Sequence, residues 1–355
     1  MSLTSLLTDK SSGLAQFMAD QFPGTANLLS AYRARLPVGI EAVRPALPAG
    51  VKPAWSTIGI AIDYRLRFAL SAVGLNRGAV AKGVGGIVER YLRSRGAGRD
   101  LSTTIPAVYD RDGSPIEDNS ILTGYEDALT PFGLNTGRAL HRAGIALLNE
   151  GDRIIQEHQP HDRTRHVLLS ENVETRLDRV CYAIAWYEET FRAATVFPGT
   201  VLGDAKETLT LEGLLELVPE YAVTDMAQVV GLAEEGLATI RSAATPDDVE
   251  IAPTFAGSKL VAGADADWIA GGWLCDVKST ITPRRLDTRD VWQLVGYTLL
   301  DFDDRYAINH VGWYLSRLGR LISWDLPDLL GILQARASVA RLRIQLKERL
   351  ETGSR

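Results

Sequence analysis

Residues Gly263–Thr280 read GADADWIAGGWLCDVKST. Two short apolar runs, Trp268-Ile269-Ala270 and Trp273-Leu274-Cys275, flank a pair of glycines. The spacing predicts two strands joined by a tight hairpin at Ala270-Gly271-Gly272. Side chains two apart on a strand share a face. Asp276 and Lys278 then project together, Cys275 and Val277 face the other way into the core, and the hairpin returns Asp267 beside Asp276. Two carboxylates and a lysine converge. An Asp and a Lys two apart are usually an ordinary solvated strand face. Here apolar neighbours enclose the run and the second carboxylate stands just across the turn. Two carboxylates beside a phosphate suit Mg²⁺, which takes oxygen ligands and keeps several waters. A lysine next to them can orient a water and neutralise charge on a phosphodiester.

Outward from this stretch the periodicity alternates. Lys259–Gly263, Asp267–Ala270 and Trp273–Thr280 read as short strands separated by glycines. A helix is expected over Thr288–Phe302, then strands over Ile308–Ser316 and Leu321–Trp324 around a Gly319 turn, then one long amphipathic helix over Leu326–Leu350. Upstream lie a long helix, Glu171–Ala194, and an acidic helical stretch, Leu209–Ala244, broken by Pro246-Asp247-Asp248. Helix, three strands, helix, two strands, helix is the order of an α/β core with helical additions. Further upstream, Ile58–Leu70 and Gly137–Leu148 read as helices and Pro106–Asn119 as a loop. The polar segment Glu157–Arg165 marks the expected boundary. It separates a mostly helical region of unknown role, 1–165, from a domain over 166–355 whose core is 174–194 and 258–325.

Asp267 followed by Asp276-Val277-Lys278 resembles the signature of the PD-(D/E)xK nuclease superfamily. Gln293 and Tyr297, four apart on the next helix, share a face and resemble the QxxxY motif of its RecB-like branch. The resemblance is firm over Lys259–Ser316 and loose over Glu174–Ala194. It implies a restriction-endonuclease-like mixed sheet flanked by helices. It also implies that Asp267, Asp276 and the Val277 carbonyl bind Mg²⁺ or Mn²⁺, that Lys278 positions the water, and that Gln293 and Tyr297 line the cleft and contact the strand. Many members carry Glu where this chain has Asp276; both occur in the family. Asp265 competes with Asp267, since both share a strand face in GADAD; Asp267, directly before Trp268-Ile269, is preferred. The superfamily also places an acidic residue on the helix before the sheet. Leu177, Cys181, Ile184, Glu188 and Phe191 form one stripe, and Glu188 inside it is costly to bury unless paired or metal-bound. Glu188 is assigned that role, with Glu189, about 100° around, as runner-up; the plainer reading pairs Glu188 with Arg192.

Composition narrows the rest. The 355 residues carry 38 basic and 44 acidic side chains, a formal charge of −6, with 46% hydrophobic and 23% charged residues. This excludes collagen-like, coiled-coil and disordered classes and a generally sticky polyanion binder. Charge is uneven: Asp63–Asp100 holds eight basic against three acidic residues, Gly331–Arg355 six against two, and Thr200–Ala270 three against thirteen. Basic helices such as Glu89–Arg95 suit a phosphate backbone, and the same run also reads as a solvated arginine face. Cys181 and Cys275, far apart in apolar runs, cannot build a zinc–cysteine site or an iron–sulfur cluster by themselves. Gly78–Gly86 fails the P-loop pattern, so no nucleotide cofactor is visible. His158, His161 and His166 lack the ligand spacing of a zinc site, and no GxSxG elbow appears. With no apolar run near 18 residues and no basic-then-apolar start, the chain reads as cytoplasmic and without a membrane span.

The expectation is a metal-dependent nuclease that hydrolyses DNA phosphodiester bonds, with RNA left open, in a setting such as repair, restriction or defence against phage. The alternative is a catalytically silent nuclease-fold subunit that binds nucleic acid, or a partner such as a helicase, within a larger complex.

Overall fold

The computed structural model describes residues 3–70, 134–158, 167–193, 199–244, 248–261 and 263–353. In chain order the elements are α1 (Leu3–Thr8), α2 (Gly13–Gln21), α3 (Thr25–Arg35), α4 (Trp55–Leu70), α5 (Leu134–His158), α6 (Glu171–Ala193), α7 (Leu211–Glu216), α8 (Glu220–Gly236), α9 (Ala238–Ala243), β1 (Val249–Ile251), β2 (Trp268–Ala270), β3 (Trp273–Lys278), α10 (Thr288–Leu300), β4 (His310–Leu315), β5 (Arg320–Asp325), α11 (Leu326–Ile332) and α12 (Val339–Gly353). The chain forms two compact units. One joins Met1–Val43 to Leu232–Arg355, and the other is Arg44–Gly231. Gly78–Gly86, Glu89–Arg95, Pro106–Asn119, His161 and His166 lie outside the described residues. No helix among the described residues is long and apolar enough to cross a membrane.

The first unit is a mixed α/β layer. Its five strands run in the order β1-β2-β3-β4-β5. β1, β2 and β3 form an antiparallel meander, β3 and β4 are parallel, and β5 returns antiparallel to β4. A parallel pair needs a crossover, and α10 supplies it. The β2–β3 turn is the predicted hairpin. Gly271 and Gly272 have φ of 55° and 80°, the left-handed pair that a two-residue turn of this twist demands and that glycine adopts most easily.

One sheet face carries Ile269, Leu274, Val311, Trp313, Ile322 and Trp324, all buried in a single core with the apolar side of α10. Asp276 and Lys278 follow Leu274 at intervals of two and so lie on this face, at the far end of β3. Helices α1, α3 and α12 pack around α10, and α2 lies against α12 and α1. Residues 3–43, read from sequence as part of a separate helical region, thus belong to the unit that contains the sheet. Phe17, Met18, Phe22, Leu28 and Tyr32 are what they contribute to its core.

Three sequence-based expectations give way here. Lys259–Gly263 is a 3-10 turn, Ser258–Val261, and not a strand. Ser258 Oγ accepts from Phe255 N at 2.9 Å and donates to the Ala264 carbonyl at 2.5 Å, which closes the backbone on itself. The outer strand is instead Val249–Ile251, too short to show a period. The C-terminal helix is two. Gln334 takes φ of 53°, its N–H bonds Gly331 O, and Ala335 N–H bonds Leu330 O; this left-handed C-terminal cap ends α11 despite the continuing apolar pattern. Leu209–Ala244 is three helices, parted at Val218-Pro219 and at Leu237. Proline there opens a helix and does not extend one, and Gly236 lies so close to the Gly319 backbone that a Cβ would meet its carbonyl oxygen at 2.5 Å.

The second unit is helical among its described residues. α4 and α6 pack lengthwise, with α5 and α7 against α6. Ile58, Ala61, Ile62, Leu177, Cys181 and Ile184 are among its fully buried side chains. The helix Glu171–Ala193, grouped with the sheet in the sequence reading, clusters with this unit, because its stripe meets the equally apolar α4. Inside the contact Arg65 grips Glu174 with two hydrogen bonds of 2.6 and 2.7 Å, the forked geometry that makes a buried ion pair tolerable. Cys181 and Cys275 are both buried and free.

The close approach of β4 and β5 gives a test of the sheet. A Cβ at Gly312 would stand 2.5 Å from the Ile322 carbonyl oxygen and 2.6 Å from Ser323 Cβ. Gly312→Ala is expected to destabilise the protein by about 1–3 kcal/mol, read as a lower urea midpoint of tryptophan fluorescence.

Candidate functional site

The β2–β3 register pairs Trp268 with Cys275 and Ile269 with Leu274, and one step further sets Asp267 opposite Asp276. Asp267 is anchored there, since its Oδ2 accepts from Val277 N at 2.6 Å. Asp265 is exposed and makes a backbone bridge to Thr254. Asp276 is 5% exposed. Its Oδ2 lies 2.9 Å from Lys278 Nζ, a buried ion pair on one face of β3.

Lys278 is the hub. Its Nζ is also 3.2 Å from Asp290 Oδ1 and 3.3 Å from Gln293 Oε1. Gln293 then donates from Nε2 to Tyr297 Oη at 2.8 Å. The amide therefore bridges the lysine and the phenol along one face of α10. Tyr297 is buried and stacks on Phe255 with ring centres 5.8 Å apart. Because its oxygen is occupied as an acceptor, its own proton is left to donate, and no described residue accepts it.

The electrostatics follow from burial. Burial raises the Asp276 carboxyl above the ordinary carboxylate range, Lys278 pulls it part of the way back, and Asp290 pushes it up again. For Lys278, burial works against the ammonium, but the carboxylates of Asp276 and Asp290 outweigh it and hold the pKa above the ordinary lysine value. Lys278 is thus a fixed cation, not a proton acceptor, at neutral pH. Burial, with the fields of Asp276 and Asp267, drives the Tyr297 phenol well above its usual range, so it keeps its proton.

Asp290 was not read from the sequence as part of the site. It sits in the first turn of α10, where Asp287 and Asp290 form a capping box: Asp287 N donates to Asp290 Oδ2 at 2.9 Å, and Asp287 Oδ1 accepts from Asp290 N at 3.4 Å. The signal for it existed, because residues 290, 293 and 297 follow the three-then-four spacing of one helix face. Tyr32 on α3 also reaches this region, with Oη donating to Pro283 O at 2.9 Å and the ring edge-on to Trp313 at 5.3 Å. No local pattern announces Tyr32.

Glu188 lies on α6 of the other unit, buried, and its Oε2 accepts from Tyr64 Oη at 3.0 Å. Neighbouring Glu189 accepts from Thr57 Oγ1 at 2.9 Å. The residues brought together in one cluster are Asp267, Asp276, Lys278, Gln293 and Tyr297, with Asp290 added. No group of three or more His, Cys, Asp or Glu side chains among the described residues is arranged to hold a metal ion; two carboxylates and a main-chain carbonyl are nonetheless within the habit of Mg²⁺, which binds through one or two carboxylates and retains water.

Lys278→Met leaves Asp276 buried without its counter-charge. It is expected to cost about 3–5 kcal/mol at neutral pH in EDTA. The sign of its pH dependence is set by the carboxyl. With the folded pKa raised further above the unfolded one, the folded state binds the extra proton between the two values, so stability rises as pH falls through that window. Chemical denaturation from pH 7 down to about 4 should show the deficit shrinking.

Comparison with known protein families, with characterised proteins and with solved structures finds no match for this chain.

Proposed function

We propose that the first unit is a metal-dependent nuclease domain with a restriction-endonuclease-like core, acting on nucleic-acid phosphodiester bonds, DNA foremost. The observation that carries this reading is the β2–β3 register, which sets Asp267 opposite Asp276 while Gln293 and Tyr297 are tied by hydrogen bonds to Lys278. The mixed sheet with its α10 crossover supports the same reading. Asp267, Asp276 and the Val277 carbonyl would hold Mg²⁺ or Mn²⁺, a set of oxygen donors of the kind these ions take. A bound cation supplies Lewis-acid polarisation of a phosphoryl oxygen and makes water a better nucleophile.

The protein's own side chains do the remainder. Lys278, permanently charged and held on three sides, offsets negative charge that builds on the phosphate and directs the approaching water. Gln293 fixes the lysine's direction. Tyr297 retains a proton that it can donate to a phosphate oxygen in the cleft. Asp290 keeps Lys278 in register from the first turn of α10.

A binding-only role draws on the same network, since an ammonium already engaged by Asp276, Asp290 and Gln293 is also a stable structural pair. Cleavage separates the two. Purified protein with Mg²⁺ or Mn²⁺ is expected to cut single- or double-stranded DNA, and Asp267→Ala, Asp276→Ala and Lys278→Ala should each slow it by about 10²–10³-fold or more. Cleavage that survives Asp276→Ala and Lys278→Ala overturns the assignment. DNA binding without cleavage under any of these conditions establishes the silent subunit. In the same assay, a Glu188→Gln protein that cuts at the parent rate confines Glu188 to packing against α4.

A further inference from the structure

We propose that the β3–α10 loop and the adjoining end of α3 form an arginine surface that grips the nucleic-acid backbone and delivers it to the Asp276–Lys278 cluster. The inference rests on the phosphodiester reading above for the chemistry of its ligand. The loop leaves β3 directly at Lys278 and re-enters the fold at the Asp287 cap of α10, so both of its ends are site elements. Between them it is pinned to α3. Tyr32 Oη donates to Pro283 O at 2.9 Å, Arg33 Nε donates to Arg284 O at 3.4 Å, and residues 283–285 take a 3-10 turn.

This anchorage presents Arg33, Arg284 and Arg285 to solvent, and Arg289 is exposed just beyond the loop in the first turn of α10. None of the four has a carboxylate within ion-pair distance among the described residues, whereas elsewhere in the unit Arg343 is paired with Asp301 and Asp304. Nearby Arg35 is also engaged, over the Trp324 ring at 4.5 Å and bonded to Ser323 O. Arg33, Arg284 and Arg285 place three like charges close together, and a bound anion offsets their mutual repulsion. A guanidinium offers planar, forked donors that fit phosphate oxygens. Phosphate contacts of this kind position a strand without reading its sequence. An acidic protein segment would also satisfy guanidinium groups. Nucleic acid is favoured because the loop begins at Lys278 itself, on the strand that carries the proposed phosphodiester chemistry.

The test is fluorescence anisotropy of a labelled oligonucleotide, single- or double-stranded, in EDTA, across a salt series, with the full chain. Arg284→Glu/Arg285→Glu is expected to weaken binding by about 10-fold or more at low salt, and Arg284→Gln/Arg285→Gln to make the slope of log K against log salt shallower by about 1.5–2. Arg341→Glu/Lys347→Glu, an equal charge change on exposed positions of α12, should leave affinity close to the parent's. Circular dichroism melts of all variants should superimpose. A parent that binds no oligonucleotide, loop variants that keep the parent's affinity and slope, or a parent displaced by poly-glutamate as readily as by unlabelled DNA each overturn the surface. Failure of the nuclease reading looks different: the parent binds and the loop variants bind weakly, yet nothing is cut with Mn²⁺. Cutting by the parent with loop variants of unchanged affinity sinks the surface and leaves the nuclease standing.

Discussion

Removing an ammonium from water costs several kcal/mol unless neighbours replace the lost hydration, and Lys278 is kept largely from solvent at the end of β3. Asp276 on its own strand, Asp290 in the first turn of α10 and the Gln293 amide supply that replacement. The requirement reaches in both directions. It ties the crossover helix to the strand it follows, and it holds Asp276 as a carboxylate in a place where burial alone favours the acid. The hairpin glycines add a second carboxylate, because only their turn brings Asp267 opposite Asp276.

The cluster also depends on chain that is remote in sequence. Helices α1–α3 open the protein, yet their apolar faces share a core with α10 and the sheet. Tyr32 illustrates the consequence: one side chain packs on Trp313 beneath the cluster and fastens the loop that runs from Lys278 to α10. A perturbation of the first helices is therefore felt at the loop and, through it, at the lysine. The buried contacts of Arg65 with Glu174 and of Tyr64 with Glu188 serve a different end. They specify how α4 and α6 pack in the second unit.

The cluster was legible in the sequence where spacing alone decides geometry. A strand alternates with period two and a two-glycine turn reverses it, so Asp267, Asp276 and Lys278 follow from counting. Gln293 and Tyr297 follow from the four-residue helical step. Asp290 lay within reach of the same arithmetic, but as a cap residue it looked like part of the helix start alone. What misled was apolar pattern without a local stop signal. The stretch Leu326–Leu350 continues its periodicity through Gln334, which nonetheless turns left-handed to close α11. Lys259–Gly263 has strand-like residues, yet Ser258 bonds both ends of the segment and curls it.

Alternation, hairpin chemistry and helix spacing act over a few residues, so the sequence by itself determined the strand–turn–strand unit, the crossover helix and the identity of five clustered side chains. Which helices cover them was decided only by tertiary structure. Any amphipathic helix of suitable length satisfies a sheet face, and the choice among α1–α3, α6 and α12 depends on complementary packing summed over many weak contacts. The same holds for Glu188. Its place on an apolar stripe was visible in the sequence, but the stripe meets α4, and the hydrogen bond from Tyr64 is the product of that packing.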